Sequence, residues 1–369
     1  MSAMSNSDNP VEIIITDDWQ GACFDALARQ GVSRPLLVTS RGTASRLGLS
    51  GIFPNAPVMG DIQPHPTCEQ MQAAITRTRR QKFDSLVAIG GGSVLDTGKA
   101  IRMASQAECH ELEQLFGWDG GITSNVPMVC IPTTHGTGSE VTKWATIWDR
   151  KDGIKRSLSN DQLYPSAAIL DASLTLSLPL DLSLISSLDA LSHSFEALWN
   201  KNANDAATGF ALEAIMLILQ NVPRLKQNPK EASVRRDLLR AASLAGLAIS
   251  LTQTATAHAI SYPLTLKFGI PHGLAAALPL LPLIKLNRSL LSEHLNFLVK
   301  NLNLSSETEL DKQITETPKP ILKSRLAEFG VSRDELPEIA RLSCTAQRMT
   351  NSATPLSRAD VLSVLQAIY

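Results

Sequence analysis

Between Val11 and about Ala172, short β-branched or apolar runs alternate with stretches of helical spacing: VEIII, CFDALARQG, PLLVTS, a helix after Thr43, CEQMQAAITRTRRQ, then SLVAIG. Nothing else in the chain narrows its possible folds so far. Strand, helix and strand in succession form right-handed βαβ crossovers, and several of these build a parallel sheet with helices on both faces. Such sheets take ligands at the carboxyl ends of their strands. From Leu178-Pro179 the rhythm stops: LISSLDALSHSFEALWN, AATGFALEAIMLILQNV and SVRRDLLRAASLAGLAISLTQ are helix-length, with apolar residues at i, i+3 and i+4. The expected organisation is an α/β domain with a parallel sheet over residues 1–178 and an all-helical domain over 179–369.

The 369 residues, 44% of them hydrophobic, are enough for two cores. A formal net charge of −1 gives no long-range field for nucleic acid or anionic lipid, so the expected partner is a small molecule. Cys23, Cys68, Cys109, Cys130 and Cys344 are odd in number and contain no CxxC, so they read as reduced thiols and not as a disulfide framework or thiolate metal site. The start, MSAMSNSDNPVEIIIT, has no basic segment leading into an apolar one, and the apolar run from Leu274 to Ile284 is broken by Pro279 and Pro282, short of the ~18 residues of a membrane span. A cytoplasmic, soluble protein without membrane partners is expected, frayed over Met1 to Pro10 and locally mobile in the charged segment SSETELDKQITETPKP.

Gly90, Gly91, Gly92 and Ser93 follow the VAIG strand and lead into VLDTGKAIRMAS, which has helical spacing. Glycines let backbone N–H groups approach an anion, and a helix N-terminus adds partial positive charge, so this turn predicts a phosphate site. The segment Pro132 to Glu140, PTTHGTGSE, follows a second apolar run and is rich in small hydroxylated residues, suited to a capped polar loop or to ligand contacts.

In the helical half, Asp189 and His193 stand four apart in SSLDALSHSFEALWN, on one face of a helix and one turn apart. His258, in TATAHAISYPL, and His272, in IPHG, also lie among Leu, Ala and Ile, where an unpaired imidazole is costly to bury. One carboxylate and three imidazoles form an N3O set suited to a borderline divalent metal.

DALSHSFEALW, HAISYPL and IPHGLAAALP, in this order, resemble the iron-containing (group III) alcohol dehydrogenase family, and the likeness runs from about the first strand to the last helix. The resemblance implies a Rossmann-like α/β domain with a helical domain, the architecture shared with dehydroquinate synthase, and a homodimer. It implies Asp189, His193, His258 and His272 as ligands of Fe2+, with Zn2+ the competing ion by affinity. GGGSxxDxxK implies a nicotinamide dinucleotide, NAD or NADP, whose pyrophosphate is held by Gly90, Gly91, Gly92, Ser93, Asp96 and Lys99. Thr133, Thr134, Thr137 and Ser139 are carried over to the nicotinamide and its ribose, and Lys155 matches a family lysine at the cofactor. Where many members have a further His beside the metal, this sequence has Tyr262. It is assigned to catalysis with His258 and His272, as a relay or as a buried Tyr with one hydrogen bond.

Ser40 stands where NAD-preferring members often have Asp, and Arg41 follows it. A 2′-phosphate meets no carboxylate there and gains a cation, so NADPH is expected to be tolerated or preferred. The implied activity is a metal-dependent NAD(P)H oxidoreductase interconverting a small aldehyde and a primary alcohol. HAISYPLT and the segment around Arg348, Thr354 and Pro355 resemble the phosphonoacetaldehyde reductase branch, which implies reduction of phosphonoacetaldehyde to 2-hydroxyethylphosphonate. Substrate contacts are assigned to Lys143, Trp144, Lys267 and Arg348, with Arg348 first because a bidentate guanidinium suits a phosphonate. The alternatives are a general short-chain alcohol dehydrogenase, a metal-dependent lyase or cyclase of dehydroquinate synthase type, and a non-catalytic metal or nucleotide-binding module.

Overall fold

Three central strands explain why the first half of the chain becomes a two-sided sheet. In Pro35–Thr39, Ser85–Gly90 and Met128–Pro132, Leu37, Val87, Ile89, Val129 and Ile131 enter one apolar cluster, while Leu36, Val38, Leu86, Ala88, Met128 and Cys130 enter another. Successive side chains point to opposite faces, so a near-continuous apolar run is stable only where both faces are covered. In a computed structural model, which describes residues 2–6, 9–121 and 124–369, this requirement is met by helices on each side.

The strands, in chain order, are β1 (Ser2–Asn6), β2 (Asn9–Ile15), β3 (Pro35–Thr39), β4 (Val58–Met59), β5 (Ser85–Gly90), β6 (Met128–Pro132), β7 (Trp144–Asp149), β8 (Ile154–Ser159) and β9 (Ala167–Leu170). Seven form one sheet in the order β1-β2-β9-β6-β5-β3-β4, six of them parallel and β1 antiparallel to β2. The connecting helices include α1 (Trp19–Arg29), α2 (Arg41–Leu47), α3 (Cys68–Thr78) and α4 (Gly92–Gln106). Two features depart from the sequence reading. Residues 2–6, expected to fray, pair with β2, whereas 1, 7 and 8 lie outside the described residues. Trp144 to Ser159, counted among the βαβ units, is instead an antiparallel hairpin, β7 with β8. Its Ala145, Ile147 and Leu158 join a third cluster with Met71, Ile75 and Met103 of α3 and α4.

The chain separates into two compact units, Met1–Thr134 with Ser139–Thr175, and His135–Gly138 with Leu176–Tyr369. The short insert belongs to the second because Gly138, at φ +60°, lies against a helix of that unit, where a Cβ would stand 2.4 Å from the Gly246 Cα.

The second unit has α5 (Leu180–Leu198), α6 (Asp205–Gln227), α7 (Ala232–Thr252), α8 (Thr256–Phe268), α9 (His272–Ala277), α10 (Leu280–Leu286), α11 (Arg288–Asn301), α12 (Glu307–Glu316), α13 (Leu336–Thr345) and α14 (Arg358–Ala367). Among the described residues it has no strand, only an isolated bridge between Asn200 and Ser352. The charged segment expected to be mobile forms α12, capped by Ser306 and anchored by buried Leu310 and Ile314 at i, i+4. Among the described residues one helix, α6, is long and apolar enough to cross a membrane, and half of its most apolar window is buried in the protein.

α5 is the axis of this unit, and every residue from Ser187 to Leu198 is buried. A helix apolar on one face only would leave its other face in water, so a helix buried all round must satisfy each polar side chain internally. Ser192 and Ser194 do so by donating to the Leu188 and Ala190 carbonyls, both at 2.8 Å, and Ser187 pairs with His135 Nδ1 at 3.3 Å. Asp189, His193 and Glu196 remain, and they define the site.

Candidate metal centre and cofactor loop

Asp189, His193 and Glu196 project from one side of α5 because they are separated by four and three residues. His258 sits in the first turn of α8 and His272 opens α9. The structure brings the four sequence-derived ligands together. Asp189 Oδ1 is 3.5 Å from His258 Nε2 and 3.9 Å from His193 Nε2, and the ligand atoms of Asp189, His258 and His272 lie within 4.8 Å of one another. The His193 and His258 rings stack at 4.6 Å, and His272 meets His258 edge-on at 5.3 Å.

Close approach of α9 to α5 depends on the glycine after His272. A Cβ at Gly273 would stand 2.2 Å from the Ile185 carbonyl oxygen and 2.9 Å from the Asp189 Cβ. Any side chain there pushes His272 away from the carboxylate.

Glu196 was not singled out in the sequence, and it organises the cluster. Its Oε1 accepts from the His258 backbone N–H at 3.0 Å and its Oε2 pairs with His258 Nδ1 at 2.5 Å. With the proton held on Nδ1, the neutral ring turns the lone pair of Nε2 toward Asp189. The available signal was a carboxylate one turn beyond His193 inside an apolar run, where an unpaired charge is too costly to bury.

The electrostatics ask for a cation. Burial alone would raise the Asp189 carboxyl, but the neighbouring imidazoles of His193, His258 and His272 hold it well below the usual carboxylate range. Glu196 is likewise lowered, burial being outweighed by His258. In return, burial notwithstanding, Glu196 and Asp189 raise His258 to about 9. Asp189 Oδ1 and His258 Nε2 are buried and lack hydrogen-bond partners. A divalent ion fits this donor set, because it answers two carboxylates at once and uses the atoms left over. Asp189 and His258 are 5% and 1% exposed, whereas His272 and Tyr262 are half-buried, so the cluster opens on their side. The Tyr262 ring stacks beside His272 at 6.2 Å.

In the first unit, β5 ends at Gly90, and Gly91 is the N-cap of α4. Thr133 N–H donates to the Gly90 carbonyl at 3.0 Å, which ties the PTT segment to the glycine turn. A Cβ at Gly90 would lie 2.6 Å from Val94, which the turn excludes, and one at Gly91 would press on the Thr134 side chain at 3.2 Å. Ser93 Oγ accepts from the His65 N–H at 3.1 Å, Thr134 is half-buried, and Thr137 is exposed.

Asp96 and Lys99 face inward. Lys99 Nζ is fully buried and donates to the Ser139 carbonyl, Ser139 Oγ, Thr142 Oγ1 and the Trp144 carbonyl at 2.5 to 3.1 Å. Asp96 accepts from Ser139 Oγ at 2.6 Å and from the Thr146 N–H at 2.9 Å. Burial raises Asp96 and lowers Lys99, each opposed by the charge of the other. These two side chains brace the loop from α4.

Ser40 is the N-cap of α2, accepting from the Thr43 N–H at 3.2 Å, and Arg41 extends from the surface to Asp61 at 2.5 Å. Lys155 lies 5.8 Å from the Trp148 ring across the hairpin. Among the assigned substrate residues, Lys143 pairs with Asp161 at 2.7 Å, Lys267 pairs with Glu335 at 2.9 Å, and Trp144 begins β7 half-buried. Arg348, in the short helical turn Gln347–Asn351, donates to the side-chain carbonyl of Gln253. Asn351 donates to the Thr254 carbonyl at 2.8 Å, and Thr256 pairs with Ser352, so this turn is fastened to the start of the helix bearing His258.

The first unit thus offers a glycine turn at the end of a parallel strand, and the helical unit a buried carboxylate–imidazole cluster suited to a divalent ion. The chain belongs to the iron-containing alcohol dehydrogenase family: residues 10–172 match the iron-containing alcohol dehydrogenase model and residues 183–369 its C-terminal model. It is 30% identical to long-chain-alcohol dehydrogenase 1 of Geobacillus thermodenitrificans, over 85% of this chain and 82% of that one. It is 35% identical to phosphonoacetaldehyde reductase of Streptomyces viridochromogenes, over 62% of this chain and 60% of that one. The crystal structure of sulfoacetaldehyde reductase from Bifidobacterium kashiwanohense in complex with NAD+ has the same fold, with a TM-score of 0.87 at 24% identity, covering 99% of this chain and 98% of that one. Family membership sets aside the lyase and cyclase alternative and the non-catalytic module.

Proposed function

We propose that this chain reduces a small anionic aldehyde, phosphonoacetaldehyde, to 2-hydroxyethylphosphonate with NADH or NADPH, using Fe2+ held by Asp189, His193, His258 and His272. The observation that carries this reading is the state of Arg348. Lys143 and Lys267 are each neutralised by a carboxylate, whereas Arg348 donates to a neutral amide, so its charge stays available to a substrate anion beside the His258 helix. The 35% identity to a phosphonoacetaldehyde reductase supports the same choice.

When bound, the divalent ion supplies Lewis acidity toward the carbonyl oxygen and the reduced nicotinamide supplies the hydride. The chain's own part is to place and to protonate. Glu196 keeps the proton of His258 on Nδ1, and Gly273 holds His272 close to Asp189. Arg348 anchors the phosphonate and so orients the carbonyl carbon at the opposite end of a two-carbon substrate. Aldehyde, reduced dinucleotide and one proton give alcohol and oxidised dinucleotide. Tyr262, half-buried beside His272, delivers that proton to the new hydroxyl.

The test compares kcat/KM for phosphonoacetaldehyde and for propanal in the wild type and in Arg348→Ala. Loss of a charge-assisted contact of about 1.5–3 kcal/mol predicts a drop of roughly 10- to 100-fold for the phosphonate and little change for propanal. A wild type that prefers propanal, with Arg348→Ala changing neither rate, refutes the substrate and leaves the dehydrogenase intact.

A further inference from the structure

The helical unit has a half-open cavity of about 470 Å³, lined by Leu188 and Leu191 of α5 and Leu274 of α9. Its floor is apolar: Leu188 and Leu274 are 2% exposed and Leu280 1%. Its mouth has another character. Lys285, Lys319 and Arg325 all line it, and no acidic residue does. Lys285 is exposed, Arg325 uses one N–H on the Ala367 carbonyl at 3.1 Å, and only Lys319 has a carboxylate, Glu316 at 3.3 Å. None of the four metal-ligand candidates lines the cavity.

We propose that this cavity binds a straight-chain carboxylate of medium length, with its hydrocarbon on the leucine floor and its head group among Lys285, Lys319 and Arg325. The volume lies within the ~300–1,000 Å³ usual for small-molecule sites, and the distribution of polarity matches an amphiphile with one anionic end. An apolar floor alone would accept any hydrocarbon, so the three cations are what select the head group. The floor also touches the metal centre's scaffold. Leu188 precedes Asp189 on α5 and Leu274 follows His272 by two residues on α9, so an occupant bears on both ligand-carrying helices.

The experiment titrates metal-loaded protein with 11-(dansylamino)undecanoate, followed by fluorescence, and displaces it with octanoate, decanoate, dodecanoate, 1-dodecanol and dodecyltrimethylammonium below their micellar concentrations. Saturable one-to-one binding is expected, tightening about fourfold per added methylene, with dodecanoate at least tenfold tighter than the alcohol or the cation. Ser363→Trp, an exposed residue at the rim, is expected to abolish probe binding with an unchanged melting temperature. Arg325→Glu is expected to weaken dodecanoate at least tenfold while leaving the alcohol unaffected. Equal affinity for alcohol, cation and carboxylate overturns the proposal, as does unaltered binding in both variants. Displacement by the aldehyde substrate overturns it too, because the probe would then occupy the active site.

Discussion

Replacing Glu196 with glutamine keeps shape and volume and removes one charge, which makes it a sharp probe of the metal centre. The wild-type carboxylate serves two donors of one residue, the His258 backbone N–H at 3.0 Å and Nδ1 at 2.5 Å. A glutamine has one acceptor oxygen. The backbone N–H cannot change its role, so the oxygen stays there and the amide NH2 faces Nδ1. His258 must then turn Nδ1 into an acceptor and carry its proton on Nε2, the atom 3.5 Å from Asp189 Oδ1. That proton occupies the lone pair the ion needs. Losing a charged hydrogen bond costs about 1.5–3 kcal/mol, and loss of an outer partner of a ligating imidazole lowers metal affinity roughly 10- to 100-fold. Both routes lead to the same range. The assay is metal content by mass spectrometry after dialysis against a graded series of chelator concentrations, with the melting temperature of the metal-free protein as the folding control. An affinity within threefold of wild type, in a folded protein, refutes the tautomer argument.

Gly273→Ala is expected to lose most bound metal, because its Cβ would lie 2.2 Å from the Ile185 oxygen and displaces His272; the same metal analysis checks it. Ser40→Asp retains a helix-capping oxygen while placing a carboxylate at the expected ribose position, so kcat/KM should shift toward NADH with stability unchanged. Buried His135, packed against Arg235 and Ser187, is pushed down to about 3 by burial and by the Arg235 charge. Its folded value lies below the unfolded ~6.5, so its contribution to stability is complete above that pH and is lost as pH falls toward 3, by up to about 1.4 kcal/mol per pH unit. Denaturant titrations between pH 6.5 and 4 should therefore show a shallower pH slope for His135→Gln than for wild type.

Much of this was legible because periodicity and chelate spacing are local. Asp189 and His193 needed only a helix to meet, and the alternating faces of β5 and β6 follow from SLVAIG and MVCIP. What was not legible depends on tertiary neighbours. Glu196 looks like an ordinary helix carboxylate until α8 delivers His258 to it. Lys99 fits a phosphate-loop pattern, yet its burial among the carbonyls of residues 139 and 144 is decided by the hairpin that follows. That hairpin was itself hidden, because TIWDRKDGIKRS carries its turn signal between an apolar first strand, which reads like the other sheet strands, and a second strand too polar to stand out. Residues 2–6, SAMSN, pair as an edge strand through backbone groups, which composition does not reveal.

The four candidate ligands come from three separate stretches of chain, with a long loop from His193 to His258 and a short one from His258 to His272. An unfolded chain offers an ion only the neighbouring Asp189 and His193, and only while that segment is helical. Full coordination exists in the native state alone, so an ion held there acts as a clasp across both loops, and its binding free energy becomes folding free energy. Metal supply would then bear on the protein's lifetime as well as on its turnover: a chelator would lower the stability of the helical unit, and each ligand substitution would lower it in proportion to the affinity it removes.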